Sequence, residues 1–377
     1  MQTLGSAPGY ESPRNARPED MPAILETVNQ VMRVANNKAP TIATDWPHIY
    51  RDANANNILI ITDKGKVAAS VATWLNDVAM GDATLKVGGI NCLAVLPEYR
   101  RHGFGTLLME AAHRHMKDVG CHVGILSTSI VAWYRKLGWD LAGVGVTFHL
   151  NRSNIHLLPA PGPDFLWRVA GEEALDDVVR LRNADRLGGL REIETLRPLW
   201  TARCKRKIIL AEHQGKPVAY MVADERRTTE WGGPAEFLLP LVRAWFESTD
   251  NAQTSTSQRD AGFKAVIREE FSVSAASGGH PFIDQLEQLR LPLSIGYLGM
   301  MRVINPQATL DAFGVTDIRA EEDGDRITLR PTTAGSGQSR TFTRAQAAKV
   351  FFGPEKMSRF GEDVFPLAFY QWQVEHV

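Results

Sequence analysis

The chain has 377 residues, of which 44% are hydrophobic and 23% charged, values typical of globular proteins and unlike those of disordered or fibrous chains. At about 150 residues per domain, this length allows two or three compact domains. Lysine and arginine number 42 against 43 for aspartate and glutamate, so no overall positive charge favours nucleic acid or acidic membranes. We therefore expect a multidomain globular protein with no nucleic-acid or membrane partner.

The cysteines and histidines give no sign of a metal site. Cys92, Cys121 and Cys204 form no close pair, which argues against a disulfide framework and a cysteine-rich zinc site. His113 and His115 lie two apart on a predicted helix and so face different sides. The sequence also shows neither a signal-peptide core nor a run of about 18 apolar residues. We expect a cytoplasmic protein that needs no metal.

The first 150 residues alternate between helix and strand patterns. In chain order, they predict a helix at 21–34, a hairpin at 57–74, a strand at 84–95, a helix at 106–119, a strand at 121–126, a short helix at 133–138 and a strand at 145–150. The strand, helix and strand between residues 84 and 126 have the order of a β-α-β crossover.

A proline-rich stretch at residues 159–163 predicts a domain boundary, because it offers little to bury. Beyond it the pattern partly recurs, with helices near 174–183 and 196–205 and a hairpin over 207–222, but without a glycine-rich turn that carries arginines. From about residue 301, a strand, a helix and an aromatic tail predict a third, small α+β unit.

The turn between the predicted strand and helix combines basic residues with glycines, in the order Arg100, Arg101, His102, Gly103, Phe104, Gly105 and Thr106. Backbone amides at the start of a helix attract anions, and glycines allow the backbone to approach a ligand closely. This combination suits a pyrophosphate. On these residues alone, a plain helix start with solvated arginines is an equally good interpretation.

The flanking residues make the pattern more specific. The segment 93–138 resembles the GNAT acetyltransferase superfamily, whose [Arg/Gln]-x-x-Gly-x-[Gly/Ala] loop is matched by Arg100, Gly103 and Gly105. The family's later Tyr-x-x-x-Gly-aromatic ending is matched by Tyr134, Gly138 and Trp139. Two motifs in the right order, about thirty residues apart, are much harder to obtain by chance than one.

The resemblance implies acetyl-CoA as cosubstrate and a role for several residues. The amides of residues 100–106 would bind its pyrophosphate, and Leu93, Ala94 and Val95 would pair with its pantetheine arm. Tyr134 would be the general acid that protonates the departing CoA thiolate. Ser129 would be a strand-end hydroxyl near the cofactor. A nucleophilic serine is less well supported, because no Gly-x-Ser-x-Gly elbow surrounds it. Without the motif, aromatic packing would be the better interpretation of Tyr134.

The order of domains also resembles the enhanced-intracellular-survival (Eis-like) acetyltransferases. This implies an α/β protein with tandem GNAT domains, the second degenerate, and a sterol-carrier-like α+β domain, over residues 1–158, 164–300 and 301–377. In such proteins the C-terminal carboxylate can act as the base, a role that carries over to Val377. Glu375 and His376 are rival bases, and a frayed tail is the alternative. The apolar residues at 365–372 favour an anchored tail.

Taken together, the motifs predict an N-acetyltransferase that transfers an acetyl group to a primary amine of a small molecule, by direct attack in a ternary complex. Asp45, Trp46 and Tyr50 lie where GNAT folds commonly shape the acceptor pocket, although a tryptophan that fills core space is as good an interpretation. A non-catalytic acyl-CoA sensor or scaffold and a peptide lysine acetyltransferase are the alternative functions. A homo-oligomer is compatible with the sequence.

Overall fold

A computed structural model describes residues 10–203, 206–248, 268–332, 338–354 and 364–372. The helices in these ranges are α1 (Met21–Met32), α2 (Ile42–Asp45), α3 (Phe104–Asp118), α4 (Val131–Arg135), α5 (Leu175–Asp185), α6 (Ile193–Arg203), α7 (Ala235–Glu247), α8 (Pro281–Gln288), α9 (Pro306–Ala312) and α10 (Arg344–Phe352). The strands are β1 (Arg14–Asn15), β2 (Ile58–Asp63), β3 (Lys66–Met80), β4 (Ala83–Val95), β5 (Val123–Leu126), β6 (Asp140–Asn151), β7 (Leu166–Ala170), β8 (Leu187–Gly189), β9 (Lys207–His213), β10 (Lys216–Ala223), β11 (Arg227–Gly232), β12 (Glu270–Ala276), β13 (Leu293–Val303), β14 (Ile318–Asp323), β15 (Arg326–Pro331) and β16 (Arg340–Thr343).

Most strands of the described ranges join one mixed sheet in the order β1-β2-β3-β4-β5-β13-β6-β12-β11-β10-β9-β7, with β8 paired to β3. This sheet consists of two similar halves. In each half, antiparallel strands lead to one parallel pair, β4 with β5 and β11 with β12, whose strands are joined by α3 and α7. The order of elements over residues 166–276 therefore repeats that over residues 14–126. β14, β15 and β16 form a separate antiparallel sheet.

The two halves exchange strands at the centre of the large sheet. β13 lies between β5 and β6, with Met301 opposite Ile125 and Tyr297 opposite Val144. β6 pairs in turn with β12 of the second half. The expected domain boundary between residues 300 and 301 thus falls inside a strand that completes the first half. A hydrophobic run shows that a strand will form but not which strand it will pair with, so sequence patterns did not reveal this exchange.

The elements predicted in the first half are present, and the parallel β4-α3-β5 crossover is confirmed. β3 and β6 are longer than the patterns predicted, since β3 continues to Met80 and β6 begins at Asp140. Asn76 and Asp77 lie in the less buried part of β3. Because these residues are polar, the alternation of apolar residues that predicts a strand is interrupted there, and the sequence pattern did not show that β3 continues.

The first half of the sheet is covered on both faces. α1 buries Ile24 and Val28 against Ile58 and Ile60, whereas α3 packs on Leu59 and Ile61 of the same strand. Successive side chains of a strand point to opposite faces, so one apolar run serves both cores. This arrangement holds the edge of β4, and the turn that follows it, between two rigid layers.

The aromatic tail is anchored as expected. Its large apolar side chains are all buried, namely Phe365, Leu367, Phe369, Tyr370 and Trp372. None of the helices in the described ranges combines the length and apolar character needed to span a bilayer.

Candidate active site

The parallel strands β4 and β5 separate after a short paired stretch. Val87, Gly88 and Gly89 pair with β5, and beyond Gly89 no strand in the described ranges pairs with this edge of β4. The Leu96 amide donates to the Ala68 carbonyl of β3 at 3.0 Å. Because successive amides of a strand point to opposite edges, Leu93 and Val95 direct theirs into the opening, whereas Ala94 does not. A V-shaped cleft with free backbone groups results.

The turn that follows β4 ends this cleft with a row of amides. Within the described ranges, the amides of residues 101–106 donate hydrogen bonds to no other protein group, and the first bond of α3 runs from the Leu107 amide to the Gly103 carbonyl at 3.0 Å. Arg101 and Gly103 have φ angles of 67° and 79°, which fold the chain so that consecutive amides face one side. The positive end of the helix dipole points the same way.

Side chains around this turn add positive charge and support. Arg100 and Arg101 are exposed and form no ion pair with the rest of the described chain. The Arg100 Nε lies 3.4 Å from the Val95 carbonyl oxygen, so this side chain folds back on the free edge of β4. Phe104 is buried and anchors the start of α3, and Gly105 lies against Trp133. The turn therefore combines charge, amides and a rigid base, as a pyrophosphate site requires.

Tyr134 lies on α4, next to the cleft. Its ring is largely buried and packs edge-on against Trp133, with ring centroids 4.8 Å apart. Burial raises the pKa of Tyr134 to about 12, and the nearby Cys92 thiol adds to this shift. The hydroxyl has no hydrogen-bond partner among the described residues, so it is a neutral donor available to a group in the cleft.

Cys92 lies at an irregularity of β4 and was not singled out by sequence reasoning. Its φ angle is 42°, and the register between β3 and β4 shifts beside it. Burial raises the pKa of the Cys92 thiol to about 11, and the neighbouring Tyr50 opposes this shift. The Tyr50 hydroxyl donates to Asn91 Oδ1 at 3.0 Å. Nothing in the composition marks this cysteine, because its position depends on the bulge of the strand.

Gly138 and Trp139, which end the second motif, hold α4 in place. Arg302 of β13 donates to the Leu137 carbonyl at 2.5 Å, and a side chain at Gly138 would meet this guanidinium. The fully buried Trp139 donates through Nε1 to His113 Nε2 at 2.9 Å. Burial lowers the pKa of His113 well below its usual value, and Arg302 and Arg344 contribute. These contacts explain the motif's glycine and aromatic residue structurally.

Asp45, Trp46 and Tyr50 lie on the face of the sheet opposite α3. Asp45 forms an ion pair with Arg33 at 2.6 Å, and the Arg33 guanidinium lies 5.1 Å from the centre of the Trp46 ring. Tyr50 reaches Asn91 and Cys92 of β4. These residues therefore form the wall on one side of the β4 bulge, where an acceptor could approach the cleft.

A cavity of about 570 Å³ lies beside the neighbouring residues His48 and Arg51. These two and Asn54 form one side, together with residues 74–77 within β3. The other side comes from the second half of the chain, residues 190–199. Sequence reasoning missed this cavity, because its two sides are separated by more than a hundred residues.

In the described part of the second half, side chains fill the region beside the parallel pair β11 and β12. The Asp185 carboxylate accepts a hydrogen bond from the Gly233 amide at 2.7 Å, just before α7 begins. Trp372 of the tail is fully buried against Trp231, with ring centroids 5.3 Å apart, and its Nε1 donates to the Leu187 carbonyl at 2.7 Å. An internal carboxylate and two indoles thus occupy the place that corresponds to the cleft of the first half.

The remaining predicted residues are not brought together by the described structure. Ser129 is exposed between β5 and α4 and has no hydrogen-bond partner in the described ranges. Val377, with the rival bases Glu375 and His376, lies outside the described residues. Within those residues, no group of three or more histidine, cysteine, aspartate or glutamate side chains could hold a metal ion.

Comparison with known proteins agrees with this geometry. Residues 12–142 match the family model of the acetyltransferase (GNAT) domain. A stretch of 135 residues is 28% identical to the amino-acid acetyltransferase of Pasteurella multocida, and this match spans 36% of the chain but only 28% of that relative.

Solved structures show the same fold at low identity. The Eis1 protein of Mycobacterium abscessus has a TM-score of 0.59 at 14% identity, with 92% of this chain and 90% of that chain covered. A probable N-acyltransferase from Enterococcus faecalis has a TM-score of 0.63 at 14% identity, with 91% and 90% covered. A GCN5-related N-acetyltransferase from Kribbella flavida has a TM-score of 0.56 at 16% identity, with 90% and 85% covered.

The family model covers the cleft, the amide turn and all but the last strand of the first half. The recognition made from the two sequence motifs is thereby confirmed for this part of the chain, as is the α/β GNAT-type fold. Residues 12–142 of this chain match an acetyltransferase (GNAT) domain.

Proposed function

We propose that the protein transfers the acetyl group of acetyl-CoA to a primary amine of a small molecule, in a ternary complex and without a covalent enzyme intermediate. The observation that carries this proposal is the row of amides at residues 101–106 that bond to no other described group, beside α4, whose Trp133 lies against Gly105 and whose next residue is Tyr134. Acetyl-CoA supplies an activated thioester. The described residues fit it, because the cleft offers donors for a pyrophosphate and free strand edges for an amide-containing arm.

In this proposal the amides of residues 101–106 and the charges of Arg100 and Arg101 bind the pyrophosphate. The backbone amides of Leu93 and Val95, which point into the cleft, bind the pantetheine arm. As the amine nitrogen bonds to the acetyl carbon and the carbon–sulfur bond breaks, Tyr134 gives its proton to the sulfur. A base removes the proton that the nitrogen loses. These steps need an acid, a base and good alignment, so we propose no metal.

We propose the carboxylate of Val377 as this base, with Glu375 and His376 as alternatives. The anchored tail supports the proposal. Trp372 is fixed to Leu187, close to residues 190–199, which line the cavity. Five residues extend at most about 18 Å from that anchor.

The arrangement of the chain supports a domain division close to the expected one. We propose a catalytic GNAT domain in the first half, a degenerate GNAT-like domain that binds no CoA in the second, and a sterol-carrier-like domain around β14, β15 and β16. We assign β13 to the first domain because it pairs with β5 and β6, and we therefore propose a last boundary beyond Val303. The carboxylate of Asp185 at the start of α7 is the feature that supports a degenerate second domain.

The cavity favours a small acceptor over a peptide lysine. Its walls come from both halves of the chain, so the acceptor would lie between them and not on an open surface. The amino-acid acetyltransferase named among the relatives acts on a small amine, which agrees with this choice. A sensor that binds acyl-CoA without turnover is the competing function, and the free Tyr134 hydroxyl favours the enzyme.

The test is thiol release from acetyl-CoA by purified protein in the presence of a panel of amines. Wild type should release thiol with at least one amine, and Tyr134→Phe should bind acetyl-CoA normally but release thiol far more slowly. Tyr297→Phe, a similar change at an exposed tyrosine of β13, is the control. Tight binding of acetyl-CoA with no release from any amine would instead identify a sensor.

A further inference from the structure

The charges around the acceptor cavity are balanced. Three basic side chains line it, namely Arg51, Lys86 and Arg191, together with two acidic ones, Asp77 and Glu192. Arg191 is already neutralised, because its guanidinium binds the Glu230 carboxylate at 2.5 and 2.8 Å. Two positive and two negative charges remain. A cavity with this balance offers a polycation no net attraction, because Arg51 and Lys86 offset Asp77 and Glu192.

Of these charges, Arg51 is the one best placed to bind a ligand. It is exposed to the cavity and forms no ion pair with any other described residue. Lys86 differs, because its Nζ donates to the Val119 carbonyl at 3.2 Å and its strand partner is Asp77. The planar guanidinium of arginine matches a carboxylate with two parallel hydrogen bonds.

Arg51 also belongs to the segment that forms the wall beside the cleft. It follows Tyr50, which contacts Asn91 and Cys92, and His48, whose ring packs on Trp74 with centroids 3.8 Å apart. Trp74 lies opposite Gly89, three residues before Cys92, which is about 10 Å along the strand. A ligand bound at Arg51 can therefore extend past Trp74 to the site of acetyl transfer.

We propose that the acceptor is an amine that also carries a carboxylate, and that Arg51 binds this carboxylate. The proposal rests on the proposed acetyltransferase function and names its substrate class. Trp74 and the leucines at positions 190, 196 and 199 supply an apolar surface for the body of the acceptor. Arg51 is then a specificity-determining residue, which distinguishes an amino acid from the same amine without its carboxylate.

The test compares matched pairs of acceptors that differ only in the carboxylate. The pairs are 6-aminohexanoate and pentylamine, 7-aminoheptanoate and hexylamine, and 8-aminooctanoate and heptylamine, whose chains can span the path past Trp74, with spermidine as the polycation. Wild type should acetylate one or more of the amino acids at least tenfold more efficiently, by kcat/KM, than the matched amine. Spermidine should be a poor acceptor.

Variants at position 51 test whether Arg51 causes the preference for acceptors that carry a carboxylate. Arg51→Gln should lower kcat/KM for the preferred amino acid about ten- to a hundredfold, mainly through KM, and leave the matched amine within about twofold. Arg51→Lys should recover part of the loss. Arg330→Gln, at an exposed arginine of β15, should behave as wild type.

Two results would overturn the inference, and they are distinguishable. If the simple amines or spermidine are acetylated as well as the amino acids, or if Arg51→Gln slows both members of a pair equally, the substrate class is wrong while the acetyltransferase function stands. If no compound of either kind releases thiol although acetyl-CoA binds, the proposed function itself fails, and this inference fails with it.

Discussion

The carboxylate of Asp185 lies 3.5 Å from the guanidinium of Arg182, a side chain with 0% exposure. The Asp185 carboxylate also accepts the Gly233 amide at the start of the second half's connecting helix. In the first half, the corresponding amides are free and the arginines are exposed. The two halves thus have the same order of elements. In the second half, the anion that faces the start of the connecting helix is the chain's own Asp185 carboxylate. In the first half, the corresponding amides are left for the anion of a bound ligand.

We expect Asp185→Asn to destabilise the fold, because it removes the carboxylate that forms an ion pair with the buried Arg182. The free energy of unfolding should fall by about 3 kcal/mol. Asp177→Asn is a matched control, since Asp177 lies on the same helix and pairs with Arg180 at 2.8 Å at a more exposed position. That change should cost less than about 1 kcal/mol. Urea titration measures both values, and equal losses would contradict the assignment.

Trp372 should contribute strongly to stability, since it joins the tail to Trp231 and Leu187 of the second half. Trp372→Ala should lower the free energy of unfolding by about 3 to 5 kcal/mol through loss of a large buried side chain. Leu157→Ala, at a side chain 42% exposed, should change it by less than about 0.5 kcal/mol. If Trp372→Ala unfolds at the same urea concentration as wild type, the tail is not held as described.

The backbone of Gly103 should matter for CoA binding more than for stability. Gly103 and Gly65 have φ angles of 79° and 84°, so an alanine at either position is strained to a similar extent, about 1 kcal/mol. Gly103→Ala should in addition weaken acetyl-CoA binding about tenfold by disturbing the row of amides, whereas Gly65→Ala in the β2–β3 hairpin should not. Calorimetric titration separates the two, and equal affinities would remove the amide turn from the binding site.

The pH dependence of turnover should show no titration of Tyr134 in the ordinary range. Its pKa is about 12, so the hydroxyl keeps its proton below that pH and loses it only above. Tyr134→Phe should lower kcat by about a hundredfold or more at every pH from 6 to 10. A wild-type profile that declines with an apparent pKa near 10, absent from Tyr134→Phe, would show that the hydroxyl ionises earlier.

Stability should decrease in mild acid because His113 is buried and neutral. Its pKa in the folded protein lies well below the usual 6.5, so below that pH the unfolded chain binds a proton that the folded chain does not. The expected loss is at most about 1.4 kcal/mol per pH unit from this group. His113→Gln keeps an acceptor for Trp139 and should flatten the dependence between pH 6.5 and 5. His156→Gln, at an exposed histidine, should leave it unchanged.

Local features of this protein could be determined from its sequence alone. The spacing of apolar residues predicted α1, the β2–β3 hairpin and the β4-α3-β5 crossover, because these depend on neighbours a few positions apart. The amide turn and Tyr134 were identified for the same reason, since each motif is short and lies at the end of one element. The resemblance of residues 93–138 to the GNAT superfamily followed from those two motifs.

Only the tertiary structure decided which distant segments meet. It inserted β13 between β5 and β6, placed Arg302 on the carbonyl of Leu137, and brought Arg51 opposite residues 190–199 to enclose a cavity. Each of these contacts joins residues more than a hundred positions apart. Apolar periodicity shows that a surface will be buried, but the partner is selected by the packing of the whole sheet, which no local pattern contains.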